Sequence, residues 1–448
     1  MKPVVIAGAG LSGLSAGVRL AAHNVPVVVL EQRPAAGGRA YSFTDARTGD
    51  VIDNGQHVLI AGYIRTLGFL RTIGTADRLA VQPVPELWFH HPQRGFCSVR
   101  FSGLPHPFDL VSGLLRTSLL SARGKLHMLR AGAALNTSNP GTEEQMAGLT
   151  VAGWLDHLHQ SEETKRSFWE PLAVAIMNEH IDVAAASVFV RAIRAAFFEV
   201  KRGAALAFPT VGLSALYVEE AKRFIEKRGG EVRCNAQVVN VTARKENVSG
   251  VTLKDGTIVE ASAVVLAVPP APAEALLPAL LRETGMLADI AAAPHSPIVS
   301  VHLWFPKEIM PHLFVGIVGR TIQWVFNRRR ILTEKGTGGH VSAVVSAGET
   351  IVSLDNEALR DTAMTDLKEI FGRGIPEPEH VVIIREKRAT ISCTPAVEKL
   401  RPDASTPIRN LFLAGDWTST GLPATIESAI ISGERSAELA LACLRANE

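Results

Sequence analysis

A short strand, a glycine-rich turn and a helix at the start of the chain restrict its fold more than any other feature. Val4–Ala7 has the composition of a buried strand, and apolar residues recur at helical spacing after residue 10. In the turn, Gly8 permits a tight bend, Gly10 lets a diphosphate approach the backbone, and Gly13 lets helix and strand pack closely. The helix amides would then face the phosphates, which predicts a dinucleotide site. The candidate contacts in this turn are Gly8, Gly10, Leu11, Ser12 and Gly13.

An acidic residue stands where a ribose contact is expected. Glu31 follows the strand Val27–Leu30, about twenty residues after the turn, and a carboxylate there can bind a ribose hydroxyl. It also argues against a 2′-phosphate. A glycine pattern alone is a weak signal, but strand, turn, helix, strand and acid occur here in register. Glu31 and its neighbour Gln32 are therefore candidate contacts.

A second glycine pair, Gly37-Gly38, is followed directly by Arg39. Its backbone amides and the guanidinium group can lie near the same diphosphate, which makes Gly38 and Arg39 candidate contacts. A surface turn with a solvated arginine is the alternative that the sequence leaves open.

A segment near the other end of the chain points to the same site. Residues 410–414 have the composition of a buried strand, with Gly415 and Asp416 at its carboxyl end, where open α/β sheets collect their ligands. Apolar residues then recur at helical spacing. The helix N-terminus at Thr425 and Ile426 can offer its partial positive charge to an electron-rich ring. A nucleotide-binding fold that is completed by such a segment points to a flavin enzyme.

These motifs carry a family resemblance. The chain resembles the FAD-dependent amine oxidoreductases and phytoene desaturases. Within that group it is most similar to the squalene-associated desaturases, the hydroxysqualene dehydroxylases of bacterial hopanoid pathways. The matching segments are Val4–Leu30, Glu31–Arg39, Val51–Leu59, Val264–Pro270 and Leu411–Glu434. The resemblance spans the chain and implies FAD as the cofactor.

The resemblance also implies an α/β fold in which a Rossmann-like FAD-binding domain is interleaved with an α+β substrate domain. The first domain is of the glutathione-reductase-like, two-dinucleotide-binding type. It would take residues 1–75, 207–270 and 386–448, and the substrate domain would take residues 76–206 and 271–385. In the resembled family, the backbone near Val238 touches the adenine and the Pro269 region lies beside the flavin. Strands are also predicted over Glu231–Val241, Gly250–Leu253, Thr257–Glu260, Ala263–Val268, Val299–Phe305 and Val341–Val345.

The sequence lacks what an amine oxidase of the resembled family has around its flavin. Such enzymes place a lysine near N5 and an aromatic cage over the ring. The candidate strand Pro297–Val301 has no lysine, the chain has 3 tyrosines, and Gly421–Ala424 contains no aromatic residue. An apolar substrate is therefore preferred. Six aromatic residues can offer their faces to a developing cation or can belong to the core: Trp169, Phe197, Phe198, Trp304, Trp324 and Phe326.

The resemblance implies that reduced FAD replaces the hydroxyl group of hydroxysqualene by hydrogen, which yields squalene. An acid must then protonate the departing hydroxyl group. Asp53, Gln56 and His57 follow a strand-like segment, and histidine is the side chain most easily poised for proton transfer near neutral pH. These three are the candidate catalytic residues. Gly55, Gln56 and His57 are also candidate FAD contacts. Alternatively, the whole segment only braces the flavin loop.

Two other functions stay open. A desaturase of phytoene or a related polyene would transfer hydride in the opposite direction with the same flavin and a similar apolar tunnel. A flavin-stabilised isoprenoid-binding protein without turnover belongs to a different class. Because the chain has a single dinucleotide fingerprint, which FAD should occupy, we expect electrons from a separate donor or from NAD(P)H that binds transiently.

Composition and charge limit the binding partners and the cellular location that we expect. The 448 residues suggest two domains, and 46 Lys and Arg against 44 Asp and Glu give a net charge of +2, which predicts no nucleic-acid partner. The 4 cysteines lack metal-ligand spacing, which predicts no metal site and suits a reducing cytoplasm. The first strand starts so close to Met1 that we expect no secretory signal, and no apolar run reaches about 18 residues.

One apolar stretch, residues 108–120, is interrupted or followed by Arg116, Arg123, Lys125 and Arg130. A helix there can lie in a membrane interface with its basic side chains at the headgroups. An ordinary buried helix of the substrate domain is the alternative. The resemblance favours peripheral contact on the inner face of the cytoplasmic membrane, since its long isoprenoid substrates partition into lipid.

Overall fold

The computed structural model describes residues 2–104, 107–137, 146–200, 202–244, 247–332 and 338–446. The strands in these ranges are β1 (Val4–Ala7), β2 (Val27–Leu30), β3 (Ser42–Thr44), β4 (Val51–Asp53), β5 (Leu59–Ile60), β6 (Leu79–Val81), β7 (Glu86–His91), β8 (Gly95–Arg100), β9 (Leu206–Pro209), β10 (Glu231–Arg233), β11 (Val238–Arg244), β12 (Asn247–Leu253), β13 (Ile258–Glu260), β14 (Ala263–Leu266), β15 (His295–Phe305), β16 (Phe314–Ile317), β17 (Trp324–Asn327), β18 (Gly339–Val345), β19 (His380–Ile391) and β20 (Leu411–Leu413).

Helices connect and cover these strands. The first four are α1 (Leu11–Ala22), α2 (Ile64–Ile73), α3 (Phe108–Arg116) and α4 (Ala122–Thr137). Further helical segments are Ala76–Arg78, Val151–His157, Glu162–Thr164, Lys165–Trp169, Glu170–Met177, Ala186–Arg194, Ala195–Glu199, Ser214–Val218, Glu219–Glu226, Pro270–Leu276, Ala279–Arg282, Ala288–Ala292, Arg328–Ile331, Asn356–Phe371, Pro395–Glu398 and the C-terminal helix Ile426–Arg445.

Five short parallel strands form the sheet that the opening motif predicts, in the order β10-β2-β1-β14-β20. Val4, Val5 and Ile6 of β1 are fully buried, as expected for a central strand that is covered on both faces. On one face, α1 packs against the C-terminal helix, and Ser15 Oγ donates to the Ile430 carbonyl at 3.0 Å. The carboxyl ends of all five strands meet at one edge of the sheet.

A three-stranded antiparallel sheet, β11-β12-β13, covers the other face. The sequence predicted one strand over Glu231–Val241, but the structure divides this segment between two sheets. Glu231–Arg233 pairs with β2 in the parallel sheet, and β11 begins at Val238. The division occurs because Asn235 between them adopts a left-handed φ of 56°, which a strand does not accommodate.

A seven-stranded sheet with the order β19-β15-β18-β17-β16-β7-β8 forms the second large layer. Its neighbours are antiparallel except for β16 with β7. Side chains alternate along a strand, so β15 presents Val301 and Leu303 to the helix Asn356–Phe371. It presents Ser300 and His302 to the opposite side, which we call the inner face.

The predicted strands Val299–Phe305 and Val341–Val345 are confirmed, and both begin earlier in the structure, as β15 and β18. The parallel sheet, with helices on one face and the three-stranded sheet on the other, confirms the α/β prediction, and the antiparallel seven-stranded sheet forms the predicted α+β part. The domain boundaries stay a prediction. Strand β19 runs across the boundary that was drawn between residues 385 and 386.

The apolar stretch at residues 108–120 folds as α3 followed by a turn. Leu119 and Leu120 in the turn are buried in the core, whereas Phe108 is 64% exposed and Leu115 is 55% exposed. The stretch is therefore only partly buried, and its contact with a membrane stays a prediction. Among the residues that the structure describes, no helix is both long and apolar enough to cross a membrane.

Candidate functional site

The carboxyl edge of the parallel sheet brings the two ends of the chain together. The glycine turn follows β1, Glu31 follows β2, Pro269 lies after β14 and Asp416 lies after β20. Ala267 N–H donates to the Ala7 carbonyl at 2.8 Å, so the chain after β14 lies directly against the glycine turn. Predicted contacts from the start, the middle and the end of the chain therefore lie along one edge.

The opening turn is sterically closed at two glycines and open at a third. A Cβ atom on Gly8, whose φ is +105°, would lie 2.4 Å from the Ala267 carbonyl oxygen. A Cβ atom on Gly13 would lie 1.9 Å from the Gly8 carbonyl oxygen. At Gly10, no atom of the described chain lies within 4 Å of the place that a Cβ would take. This glycine is also the N-cap of α1, and it provides no side-chain cap for the helix amides.

Glu31 is buried at the end of β2 and accepts two backbone hydrogen bonds. Its Oε2 accepts from Ala9 N–H and its Oε1 from Arg33 N–H, both at 2.9 Å. Ala236 N–H donates to the Glu31 carbonyl at 2.8 Å, which brings the start of β11 at Val238 to the same side. The adjacent Gln32 is exposed. The expected ribose and adenine contacts therefore lie next to each other.

The second glycine pair packs against the first turn. A Cβ atom on Gly38 would lie 3.1 Å from the Gly10 Cα, so the two turns enclose the open space at Gly10. Arg39 donates to Asp416 Oδ1 at 2.7 Å and to the Ala389 carbonyl at 2.6 Å. The Asp416 carboxylate raises the pKa of Arg39. Arg39 thus joins the two ends of the chain instead of standing alone in solvent.

The loop after β20 is fixed on both sides. Gly415 N–H donates to Ser432 Oγ at 2.9 Å, and the next aromatic side chain, Trp417, donates to the Val268 carbonyl at 3.0 Å, directly before Pro269. Thr425 Oγ1 caps the C-terminal helix by accepting from Ser428 N–H at 3.2 Å, and Ile426 begins that helix.

Asp53 lies in a fully buried ion pair. Its Oδ2 accepts from Arg328 at 2.8 Å, while its Oδ1 accepts from Ser42 Oγ at 2.7 Å and from Leu213 N–H at 2.9 Å. The Asp53 side chain is 2% exposed and that of Arg328 is 1% exposed. Gln56 Oε1 accepts from the same guanidinium group at 2.6 Å. Two of the three candidate catalytic residues therefore hold one arginine in place.

His57 lies beside this pair. Burial is the largest cause that lowers its pKa, and the positive charges of Arg39 and Arg328 lower it further, against an opposing effect of Asp53. The imidazole is therefore neutral at neutral pH. In that state it can accept one hydrogen bond and donate another, but it does not carry an extra proton.

Arg328 is a residue of this cluster that sequence reasoning missed. It starts a run of three arginines directly after β17. Arg329 pairs with Asp50 at 3.3 Å, and the largely exposed Arg330 pairs with Glu308. The sequence shows three arginines after a buried strand, but it does not indicate which of their side chains is buried.

A cavity of about 270 Å³ lies between β8 and the helices on that side of the molecule. Its lining is almost wholly apolar and comes from α3, α4 and the helical segments at 165–199. Of the six aromatic residues singled out in the sequence, Trp169, Phe197 and Phe198 line it. Trp324 and Phe326 belong to the same hydrophobic cluster, which continues to the inner face of the seven-stranded sheet.

All four cysteines are free thiols. Burial is the largest cause that raises the pKa of the Cys393 thiol well above its usual range. Within the described ranges, no group of three or more His, Cys, Asp or Glu side chains is arranged to hold a metal ion.

The family model of the flavin containing amine oxidoreductases matches residues 11–441. The chain belongs to this family. The FAD-dependent oxidoreductase predicted from the sequence is confirmed, and its cofactor is FAD. Membership also sets aside the alternative of a binding protein without turnover.

Relatives with known names narrow the comparison. The chain is 32% identical to a hydroxysqualene dehydroxylase of Rhodopseudomonas palustris, over 99% of this chain and 100% of that protein. It is also 32% identical to a hydroxysqualene dehydroxylase of Sinorhizobium fredii, over 98% of both chains. A 15-cis-phytoene desaturase of Synechococcus elongatus is 23% identical over 98% of this chain and 96% of that protein.

Solved structures support the fold. An oxidoreductase from Methanosarcina mazei superposes with a TM-score of 0.75 at 18% identity, over 98% of this chain and 100% of that one. Cyclohexylamine oxidase from Brevibacterium oxydans gives a TM-score of 0.69 at 16% identity, over 100% of both chains. Both likenesses concern the fold alone.

The residues at the carboxyl edge fit FAD. The open space at Gly10 lies in front of helix amides that lack a side-chain cap, which suits a diphosphate. The turns beside it exclude side chains, so backbone atoms can approach the cofactor closely. The Glu31 carboxylate is held by two backbone donors at the end of β2, where a ribose contact is expected.

Proposed function

We propose that this enzyme reduces hydroxysqualene to squalene. The observation that carries the proposal is the apolar cavity, whose wall is continuous with the hydrophobic cluster of the inner face. A pocket with so few polar groups suits a long hydrocarbon chain and offers nothing to hold a charged amine. The similarity to two hydroxysqualene dehydroxylases over nearly the full chain supports the same substrate.

The residues at the carboxyl edge hold FAD, which supplies a hydride in its reduced form. Arg39 and Asp416 form an ion pair that ties both ends of the chain to the cofactor site. Asp53 Oδ2 and Gln56 Oε1 each accept a hydrogen bond from the Arg328 guanidinium group, so these two residues hold Arg328 in place. We assign them to positioning instead of proton transfer, and we assign His57, as a neutral side chain, to a hydrogen bond with the cofactor.

An Asp53→Asn variant tests this assignment. If Asp53 only positions the loop, the variant keeps a measurable turnover and an unchanged pH profile wherever it retains bound FAD. A loss of turnover with full FAD content and unchanged stability would instead make Asp53 catalytic.

The desaturation of phytoene or a related polyene is the second candidate. The similarity to 15-cis-phytoene desaturases over nearly the whole chain favours it, although at the lower identity of 23%. It needs the same apolar cavity but transfers hydride from the substrate to the oxidised cofactor.

Anaerobic stopped-flow spectroscopy separates the two candidates. Photoreduced enzyme is mixed with hydroxysqualene in detergent, and the product is identified by gas chromatography. We expect the flavin to be reoxidised in step with squalene formation. If the flavin stays reduced, and the oxidised enzyme is bleached by phytoene, the desaturase replaces the dehydroxylase. The electron donor, a reductase or NAD(P)H, follows from which of them reduces the flavin anaerobically.

We also propose reversible contact with a lipid surface through α3 and α4. Phe108, Leu115 and Leu126 are exposed large apolar residues on these helices, and Arg116 and Arg123 beside them are exposed. The same two helices line the cavity, so a substrate dissolved in lipid would have a short path into it.

Sedimentation with anionic phospholipid vesicles tests this contact. Leu115→Glu should lower the vesicle-bound fraction severalfold, because a carboxylate is expelled from the interface. Leu280→Glu is the matched control, since Leu280 is 61% exposed on another helix. Equal binding of both variants and the unmodified enzyme would remove α3 from the contact.

A further inference from the structure

Four buried polar atoms on the inner face of the seven-stranded sheet have no hydrogen-bond partner within the described chain. They are Ser300 Oγ, His302 Nε2, His340 Nδ1 and Ser342 Oγ. All four side chains are at most 1% exposed. A buried polar group without a partner is unfavourable, so four in one place require an explanation.

Strand register brings these atoms together. His302 on β15 lies opposite Ser342 on β18, and Ser300 is two residues from His302 on the same face. His340 is two residues from Ser342, and its Nε2 lies 3.2 Å from His302 Nδ1. Directly opposite residues in such a sheet have Cβ atoms about 5 Å apart, so one small ligand group can reach several of them.

The patch lies at a boundary on this face. On one side, Trp304 stacks on His340 with ring centroids 4.1 Å apart, and the charged pair of Arg328 and Asp53 follows. On the other side, Phe326 is paired with Ser342 across the strands, and Trp324 lies next to it. Phe326 and Trp324 belong to the hydrophobic cluster that continues to the cavity. A ligand that extends from that cavity along this cluster to the inner face would therefore meet this patch.

The unpaired atoms belong to neutral side chains. Burial is the largest cause that lowers the pKa of His302, to about 3, so its imidazole is neutral at neutral pH. Neutral imidazoles and serine hydroxyls can each donate or accept. The patch therefore matches a neutral group that does both, and it carries no charge to attract an ion.

We propose that Ser300, His302 and Ser342 form the subsite that binds the hydroxyl group of the substrate. The proposal rests on the proposed function, and it names the residues that distinguish the alcohol from the hydrocarbon product. His340 orients His302 through the contact between its Nε2 and His302 Nδ1. The product lacks the hydroxyl group, so the subsite no longer holds it, which favours its release.

Matched substitutions test the subsite. Dissociation constants for hydroxysqualene and squalene are measured on the oxidised enzyme from the change in flavin absorbance. Ser300→Val and Ser342→Val remove the hydroxyl groups, whereas Ser300→Thr and Ser342→Thr keep them. Because Val and Thr have nearly the same volume and shape, the two variants at each position differ mainly in the hydroxyl group. We expect each Val variant to lower the preference for the alcohol by roughly tenfold. The Thr variants should restore most of it. Flavin content and melting temperature show whether each variant is folded.

Phe326→Leu is the control on the same face. It should weaken the binding of hydroxysqualene and of squalene by the same factor. An unchanged preference in the two Val variants, with bound FAD, would overturn the subsite and leave the patch to ordered water. If Ser300→Val does not retain FAD, the ligand preference of Ser342→Val alone tests the subsite. Turnover of hydroxysqualene by the unmodified enzyme is measured separately, so a failure of the subsite is distinguishable from a failure of the proposed function.

Discussion

The FAD edge of the parallel sheet and the inner face of the seven-stranded sheet are built on different principles. In the glycine turn at the FAD edge, backbone atoms of neighbouring residues form the site, and Gly8 and Gly13 are required because a Cβ on either would meet a backbone carbonyl oxygen. At the inner face, side chains from distant segments form the site, and the Asp53–Arg328 pair joins residues that are 275 positions apart. The glycine turn can therefore be predicted from local sequence, whereas the site at the inner face exists only in the folded protein.

Gly13→Ala should have the largest effect on the FAD edge. The new Cβ would lie 1.9 Å from the Gly8 carbonyl oxygen, so strand and helix must move apart. We expect the free energy of unfolding to fall by about 3 kcal/mol or more, and bound flavin to be lost. Chemical denaturation and the flavin-to-protein absorbance ratio measure both.

Gly10→Ala sharpens this prediction, because no described atom lies near its Cβ position. The apoprotein should keep its stability within about 0.5 kcal/mol. FAD affinity should fall at least tenfold, about 1.4 kcal/mol. If Gly10→Ala binds FAD normally, the diphosphate does not occupy the space that we assign to it.

Arg328→Met should have the largest effect on the stability of the inner face. It leaves the buried Asp53 carboxylate without its charged partner, which costs about 3–5 kcal/mol of unfolding free energy. Arg330→Met is the matched control, because its pair with Glu308 is largely exposed and should contribute at most about 1 kcal/mol. Similar losses in both variants would mean that the burial of Arg328 has no energetic consequence.

A smaller effect concerns acid stability. The pKa of His302 is lowered to about 3 by burial, and that of His340 is lowered as well. Below pH 6.5 the unfolded chain binds protons that the folded chain does not, so stability falls as the pH falls toward 3. Each buried imidazole contributes up to about 1.4 kcal/mol per pH unit.

Urea denaturation between pH 7 and pH 5 measures this slope. His302→Gln should make it shallower, because only His340 then contributes, whereas His23→Gln, at an exposed position, should leave it unchanged. A slope as steep in His302→Gln as in the unmodified enzyme would show that His302 does not cause the acid sensitivity.

These regions also differ in how far the sequence predicted them. Val4–Ala7 and Val27–Leu30 were predicted with the bounds that the structure gives, because glycine chemistry and burial act over a few neighbouring residues. Arg328 was not predicted, since its partner Asp53 is far away in the chain and its two neighbouring arginines have the same local composition. The division of Glu231–Val241 was missed because one left-handed residue, Asn235, decides it.

The place of β20 beside β14 in the parallel sheet also affects biosynthesis. Strands β1 and β20 are about 400 residues apart, and ribosomes add about 5–20 residues per second, so β1 waits roughly 20–80 s for the sheet to be completed. A nascent chain that has not reached Asp416 lacks the partner of Arg39. The complete FAD edge therefore forms only after residue 416 has been translated, so we expect flavin to be acquired late in biosynthesis.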